Sequence, residues 1–215
     1  MYGWSERRVS SFNSSNLSLG LEHRYVVLHA MTVARVQIVC LLLASSLGAQ
    51  QPHYVAADVQ FMQGMISHHA QAITMAGWAP SHGASDNVRV LCARIAVSQR
   101  DEIHSMQRWL GDRHEMVPDS TGRMAGMAGM PGMPMMPGML TPDQMAELDR
   151  ARGPDFDKLF LVYMIQHHEG ALTMVKQLME TQGAAQDEVV FKFASDVNAD
   201  QTAEIDRMAK MLGAP

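Results

Sequence analysis

The sequence is poor in cysteine and in aromatic side chains. It has two cysteines in 215 residues, and Phe, Trp and Tyr together make up 6%. Cys40 lies in an apolar stretch near the amino terminus, so the rest of the chain holds Cys92 alone. A single cysteine forms no intramolecular disulfide, and the folded part must therefore rely on its own core. The low aromatic content fits a helical bundle whose core is built from Ala, Leu, Val and Met.

Motifs for nucleophilic catalysis are missing as well. No Gly-x-Ser-x-Gly sequence occurs, and Cys92 lies in an apolar helical run rather than beside a base. Serine or cysteine hydrolase chemistry therefore has no support in the sequence, and we do not expect an enzyme of that kind.

The first 49 residues are interpreted as targeting sequence rather than as part of the fold. Met1–Ala30 has no sustained periodicity and precedes a second methionine, so we interpret it as a mis-extended or disordered amino terminus. Residues 31–49 have the features of a secretory signal, with Arg35, an apolar run over Val36–Ala44 and a small-residue site before cleavage after Ala49. The alternative is an uncleaved anchor, although the run is too short to span a bilayer as a helix. We predict a secreted, periplasmic protein that has no membrane association after cleavage.

The charge of the mature chain also limits its partners. Removal of residues 1–49 leaves 13 basic and 20 acidic side chains, a net charge of −7. That balance opposes binding to nucleic acids or anionic membranes and suits an exported protein that meets cations.

The most informative feature present is an internal repeat. Asp58–Met75 recurs 99 positions later as Asp157–Met174, with nine identical positions. At about 100° per residue, one helical face of the first copy carries Asp58, Phe61, Met65, His68, His69, Ala72 and Met75. A lone inward histidine is usually a hydrogen-bonded core residue, but two adjacent histidines flanked by methionine and duplicated in register are harder to explain that way. Imidazole and thioether together suit copper, and the thioether favours Cu(I).

Periodicity predicts four helices in two hairpins. The expected bounds are Ala56–Ala79, Asn87–Leu110, Asp155–Gln182 and Asp187–Leu212, with Ser85 or Asp86 as a cap and Gly183 ending the third helix. The second and fourth helices also match each other, because Gln99, Glu102, Ile103, Met106 and Leu110 recur as Gln201, Glu204, Ile205, Met208 and Leu212. We place Val90, Ala93, Val97, Met106 and Leu110 on the apolar face of the second helix. Residues 50–110 and 154–215 then form the two hairpins of one all-α four-helix bundle.

Two glutamates lie on the same helical faces as these matched residues. If those faces are packed, Glu102 and Glu204 point inward toward His69 and His168, either as metal ligands or as acceptors that fix the ring tautomers. Alternatively, they are flanking residues whose stems cover apolar surface while their carboxylates reach water.

The segment between the hairpins, residues 111–153, is a Met/Gly/Pro-rich linker. Methionine stands at every third position in a Gly, Ala and Pro background, at Met124, Met127, Met130, Met133, Met136 and Met139. The prolines exclude a stable helix, so we expect no core packing from this segment, and we expect deletion of Gly122–Leu140 to leave the bundle intact. It is either a plain flexible linker or an arm that scavenges a soft metal.

At these residues the chain resembles a known family. The motif Met-Ile-x-His-His-x-x-Ala-(Ile/Leu)-x-Met occurs twice, at Met65–Met75 and Met164–Met174, and is followed each time by Gln-x-x-Glu-Ile-x-x-Met. This pattern resembles the exported bacterial family called domain of unknown function 305, with its CopM-like copper-binding proteins. The resemblance implies a ferritin-like four-helix bundle that binds metal through Met65, His68, His69, Met75 and their counterparts, without established enzymatic activity. Glu169 and Gly170 depart from Ala70 and Gln71 of the first copy, so the two halves need not be equivalent.

Three functions remain as hypotheses from the sequence. The first is an exported protein that binds Cu(I), with Ag(I) as an alternative, and sequesters it or passes it to another copper-handling periplasmic protein. The second is a dinuclear ferritin-like oxidase, although Met65 and Met164 stand where that class needs glutamate. The third is a metal-free structural bundle. Besides the methionines of the linker, the candidate metal ligands are Met65, His68, His69, Met75, Glu102, Met106, Met164, His167, His168, Met174, Glu204 and Met208.

Overall fold

Five helices make up the regular structure of the described residues. The computed structural model describes residues 54–123 and 135–213, and within these ranges it contains no strand. The helices are α1 (Ala56–Gly77), α2 (Asp86–Asp112), α3 (Pro142–Arg150), α4 (Pro154–Glu180) and α5 (Glu188–Met211). The all-α class is confirmed, and the four long helices agree with the predicted bounds to within two residues at each end. The ferritin-like comparison stays a prediction.

Several predictions concern residues outside these ranges. The amino-terminal extension, the signal peptide and its cleavage site, and Met124, Met127, Met130 and Met133 all lie outside the described residues. Among the helices that are described, none is long and apolar enough to cross a membrane.

The two hairpins pack through their histidine-bearing helices. Helix α1 packs on α2, α4 packs on α5, and α1 lies against α4. The buried side chains form two apolar groups. The first core cluster includes Phe61, Met65, Met106, Met174 and Phe193. The second core cluster includes Met75, Leu91, Phe156, Met164 and Met208.

A duplicated aspartate joins each hairpin to the turn of the other. Asp58 on α1 is fully buried, and its Oδ1 accepts a hydrogen bond of 2.7 Å from the backbone N–H of Ala185 in the α4–α5 turn. Asp157 on α4 accepts from the backbone N–H of Ser85, 3.2 Å away, in the α1–α2 turn. Ser85 stands at the start of α2 without a capping bond from its own side chain. The repeated aspartate therefore holds the two halves together through reciprocal bonds.

The predicted apolar face of the second helix is wrong in part. Val90 and Val97 are 54% and 56% exposed, and Ala93 is exposed too. The buried stripe of α2 runs through Val88, Leu91, Cys92, Ile95, Gln99, Ile103, Met106 and Leu110. Val90, Ala93 and Val97 share helical spacing with one another but lie on the opposite side of that stripe, which explains the error.

The linker is more structured than the sequence indicated. Helix α3 begins with a capping box, because Thr141 Oγ1 accepts from Gln144 N–H while Gln144 Oε1 accepts from Thr141 N–H. Leu140 and Leu148 are buried, and Met136 packs against the first core cluster. The expectation that Gly122–Leu140 makes no contact with the core is therefore wrong at its carboxyl end.

Candidate metal centre

The four repeated histidines meet where α1 faces α4. His68, His69, His167 and His168 are all completely buried. The rings of His68 and His167 lie with their centroids 3.8 Å apart and their planes 41° apart. The internal repeat therefore brings the two histidine pairs together into one cluster in the interior.

Three of these rings are oriented by an oxygen acceptor. His69 Nε2 lies 2.5 Å from Glu102 Oε2, and His168 Nε2 lies 2.7 Å from Glu204 Oε2. His68 Nε2 lies 3.0 Å from the carbonyl oxygen of Pro137. A carboxylate or a carbonyl can only accept, so each Nε2 carries the proton and donates it. In the neutral ring, Nδ1 then holds the lone pair.

Those Nδ1 atoms have no partner in the protein. Nδ1 of His68, His69 and His168 is buried without a hydrogen bond, and so are both ring nitrogens of His167. Buried polar atoms are almost always satisfied, so a group of five such nitrogens at one place is unusual. The arrangement fits a centre in which imidazole lone pairs are available to an ion.

Burial keeps the central imidazoles neutral. Burial first, and then the neighbouring His69 ring, lower the pKa of His68 to about 3, although the bond to Pro137 acts in the opposite direction. Burial is also the main reason that the pKa of His167 lies well below its usual value, with the other three rings adding to the effect. Neutral imidazole is the form that binds metals, so these rings need lose no proton to do so at neutral pH.

Six predicted thioether ligands lie in the core in two sets of three. Met65, Met106 and Met174 belong to the first core cluster. Met75, Met164 and Met208 belong to the second. Each set combines residues from both hairpins, and each of these side chains is at most 8% exposed.

The two glutamates connect the histidines to a groove between α2 and α5. Their side chains are 21% and 24% exposed, for Glu102 and Glu204 respectively. The groove is also lined by Asp200, Gln99 and Gln201. Burial raises the pKa of Asp200, and the carboxylates of Glu102, Asp196 and Glu204 raise it further. The carboxylates thus both contact the imidazoles and reach solvent, so each of the two sequence interpretations describes part of their environment.

Gln99 and Gln201 were missed as residues of the site. They are 2% and 3% exposed, and no amide atom of either has a protein partner. Their recurrence at matching positions of the repeat was visible in the sequence. The signal that could have identified them is an amide on an otherwise apolar stripe, one helical turn before the glutamate.

A docked backbone segment was also missed. The stretch Met135–Leu140 crosses α4 at Gly170, where an added Cβ would lie 2.1 Å from the carbonyl oxygen of Pro137. Gln71 holds the same stretch from α1, because its amide donates to Leu140 O and accepts from Leu140 N–H. Gln71 and Gly170 occupy the same position in the two copies of the repeat. Gln71 binds the docked segment, and Gly170 leaves room for it. Of the linker methionines described, Met136 lies in this stretch against the core and Met139 is partly buried.

The donor set suits a soft ion better than a hard one. Across residues 54–123 and 135–213, no three His, Cys, Asp or Glu side chains are grouped so that they could hold an ion by themselves. Glu102 and Glu204 are engaged by His69 and His168, and the six predicted methionine ligands supply thioether sulfur in the same core. Thioether sulfur and neutral imidazole nitrogen are ligands of Cu(I). Cys92 is buried in the second core cluster, and burial raises the pKa of its thiol to about 12.

Solved structures with the same fold come from several proteins. A DUF305 protein from Streptomyces coelicolor, named as a secreted protein, is 28% identical, with a TM-score of 0.62 over 76% of this chain and 97% of that chain. A DUF305 fragment from Deinococcus radiodurans is 28% identical, with a TM-score of 0.60 over 74% of this chain and 97% of that one.

CopM shares the fold and has been solved with metals. Its Cu(II)-bound form is 28% identical, with a TM-score of 0.56 over 72% of this chain and 94% of CopM. Its Cu(I)-bound form is 25% identical, with a TM-score of 0.53 over the same shares of the two chains. CopM has also been solved with silver.

Sequence comparison agrees with the structural likeness. An uncharacterised protein of Acanthamoeba polyphaga mimivirus is 38% identical over 56 residues, which span 26% of this chain and 37% of the viral protein. The family described as domain of unknown function (DUF305) matches residues 58–212, which contain both copies of the repeat and the whole histidine cluster. The chain therefore belongs to the DUF305 family.

Proposed function

We propose that this protein is an exported copper-binding protein that holds Cu(I) in the interior of its bundle. The observation that carries the proposal is the group of four buried imidazoles with unpartnered nitrogens, in a core that also holds the six predicted methionine ligands. Its likeness to CopM, which has been solved with Cu(I), Cu(II) and silver, supports the same chemistry.

The proposed ligands have separate roles. Nδ1 of His68, His69 and His168 and one nitrogen of His167 are the candidate imidazole donors. Because no three of these side chains are grouped to hold an ion by themselves among the described residues, each ion would combine at most two imidazoles with thioethers. The candidate thioether donors of this interior centre are Met65, Met75, Met106, Met164 and Met208. Met174, the sixth predicted methionine ligand, also lines the groove between α1 and α4. Glu102 and Glu204 orient the rings of His69 and His168 by accepting hydrogen bonds from their Nε2–H groups, which also makes the imidazoles better metal donors.

The chain is proposed to bind and retain the ion rather than to carry out a reaction with it. Neutral donors leave a bound Cu(I) with its single positive charge inside the bundle, and the nearby Glu102 and Glu204 carboxylates compensate for it. The Met-rich linker is proposed to collect ions, and a copper-handling periplasmic protein is proposed to receive them. Silver, as Ag(I), has the same preference for thioether sulfur and is an alternative cargo.

A direct test is the metal content of the protein as the cell makes it. The protein should be purified without an affinity tag from the periplasm of cells grown with copper, and then analysed for metals. We expect copper in at least one equivalent per chain, and we expect the copper-free protein to take up Cu(I) in competition with a chromophoric chelator. Failure to take up Cu(I) or Ag(I) in that competition would leave the metal-free structural bundle as the better account.

A further inference from the structure

The described end of the linker places a methionine in a surface groove beside the histidine cluster. The groove lies between α1 and α4 and is lined by Phe61, Gly64, Met136, Met174 and Leu178, among others. Met136 is partly buried there and Met174 is 8% exposed, and both side chains line the groove. The next residue, Pro137, is the one whose carbonyl accepts from His68.

Gly64 brings the two thioethers together. A Cβ added at Gly64 would lie 3.2 Å from Met136 Sδ and 3.4 Å from Met174 Cε. Both methionines therefore converge on the same bare stretch of α1. The corresponding residue of the second copy is Tyr163, whose bulk leaves no such space, and Met75, the counterpart of Met174, is fully buried. The arrangement is thus confined to one side of the repeat.

We propose that Met136 and Met174 form a two-thioether site for a soft monovalent cation, Cu(I) or Ag(I), at the surface of the bundle. This inference rests on the proposed function and adds a separate site to it, outside the buried cluster. Thioether sulfur carries no proton at neutral pH and selects soft cations. The site would receive ions from solvent one residue away from the backbone group that holds the His68 ring.

A simpler role for Met136 is that of an apolar anchor for the docked segment. Leucine separates the two roles, because it has nearly the volume of methionine but no sulfur. Met136→Leu and Met174→Leu should therefore keep the docking and remove one donor each. Met135→Leu is the matched control, since Met135 is the neighbouring residue and is 51% exposed.

The experiment is a titration of the full chain with Ag(I), followed by NMR of methionine methyl groups labelled with ¹³C. We expect the methyl signals of Met136 and Met174 to shift together, whereas the signal of Met135 stays in place. Each Leu substitution should abolish the shift of the partner methionine and weaken binding of that Ag(I) ion by about tenfold or more, and Met135→Leu should bind like the native protein.

The outcomes distinguish this site from the buried centre. If the native protein binds Ag(I) but the methyl signals of Met136 and Met174 do not move, the surface site is overturned and the proposed function stands. If Met136→Leu leaves the Met174 shift unchanged, Met136 is only an anchor. If the native protein binds neither Ag(I) nor Cu(I), both proposals are wrong. The titration of the native chain decides the question even where a variant fails to fold.

Discussion

Buried histidines in this protein fall into two groups with different hydrogen bonding. His82 is 4% exposed and fully satisfied, because Ser81 Oγ lies 2.9 Å from its Nδ1 while Asp149 O accepts from its Nε2 at 2.9 Å. His167 is just as buried and has no partner on either nitrogen. The chain can thus satisfy a core histidine completely, which makes the unpartnered nitrogens at the cluster significant.

The lowered pKa values of His68 and His167 predict a loss of stability in acid. In the unfolded chain the pKa of these histidines is about 6.5, so below that pH the unfolded chain binds protons that the folded chain does not bind. For His68 the loss should continue down to its folded pKa of about 3. For each such histidine, the free energy of unfolding should fall by up to about 1.4 kcal/mol per pH unit in this window.

This pH dependence can be measured by urea unfolding of the metal-free protein between pH 7.5 and 4.5. The slope of the free energy of unfolding against pH should be smaller in His167→Leu than in the native protein. It should be unchanged in His104→Gln, because His104 is exposed on α2. Equal slopes in all three proteins would contradict the neutral state assigned to the buried rings.

The carboxylates bonded to His69 and His168 should matter for metal affinity more than for folding. Glu102→Gln and Glu204→Gln replace a charged acceptor with a neutral amide of the same shape. Loss of such a partner typically weakens metal binding by about 10–100-fold. Glu169→Gln is the matched control, since Glu169 is exposed and adjacent to His168. In Cu(I) competition titrations, both glutamate variants should bind Cu(I) much more weakly than the native protein and the control. Equal affinities would show that the glutamates do not orient the rings for metal binding.

At the scale of residues, the sequence predicted the side chains that make up the cluster but not all of their partners. Duplication in register was enough to find His68, His69 and their counterparts, and helical spacing placed Glu102 near His69. The contact from Pro137 could not be predicted, because it comes from a backbone carbonyl 69 positions away from His68. Such contacts depend on the path of a loop, which carries no periodicity.

At the scale of elements, the two copies differ where the linker docks. Gly138 has a φ of +73°, and an added Cβ there would lie 2.6 Å from both Gln166 O and Gly170 Cα. Two glycines in contact thus allow the backbone of Met135–Leu140 to lie directly on α4. A glycine inside a helix costs up to about 1 kcal/mol relative to alanine, and the close approach explains why Gly170 is present despite that cost.

Substitution of this helical glycine should detach the segment. In Gly170→Ala the new Cβ meets the Pro137 carbonyl, so we expect a loss of about 1–3 kcal/mol in the free energy of unfolding and a weaker His68–Pro137 bond. Gly77→Ala on α1 is the control, because nothing lies within 4 Å of its added Cβ, and it should be neutral or stabilising by up to about 1 kcal/mol. Thermal melting tests the difference; a gain in stability from Gly170→Ala would contradict the docking.

Helix prediction succeeded where the apolar period was long. Four helices of 22 to 27 residues were found because each spans six turns or more. Helix α3 has nine residues and a single fully buried side chain, Leu148, so its pattern is too short to show a period. Val90 and Val97 were assigned to the wrong face of α2. That helix has two apolar stripes, and the sequence does not show which of them packs against the core.

At the scale of the whole molecule, neither hairpin holds a complete set of ligands. Met65 shares a cluster with Met174 from the other hairpin, and Met164 shares one with Met75. The histidine pairs likewise meet only when α1 packs on α4. Metal binding should therefore depend on the joined bundle, with the Asp58 and Asp157 contacts helping to hold the two hairpins together.

The part of the linker outside the described residues should contribute capacity for ions rather than stability. Replacing Met124, Met127, Met130 and Met133 with leucine leaves Met136, Pro137 and Leu140 in place. We expect an unchanged melting temperature in the absence of metal and fewer Cu(I) ions bound per chain, because leucine has no sulfur. Equal stoichiometry by equilibrium dialysis would make that part of the chain a plain linker.

The central claim is that the four buried histidines bind Cu(I), and thermal melting with and without Cu(I) tests it most directly. One variant should carry Leu or Gln at both His68 and His69, and a second should carry Leu or Gln at both His167 and His168. His82→Gln is the control for a satisfied core histidine. A ligand that binds the folded state raises its stability by mass action, so Cu(I) in reductant should raise the melting temperature of the native protein and of the His82 variant, but not of the cluster variants. Without metal, the His82 variant should lose about 1–3 kcal/mol because its partners are left unsatisfied. The cluster variants should lose stability as well, because Pro137 O, Glu102 and Glu204 lose their donors, so the gain from Cu(I) is what separates the two kinds of variant. Native protein that gains nothing from Cu(I), or cluster variants that gain as much as the native protein, would contradict the account.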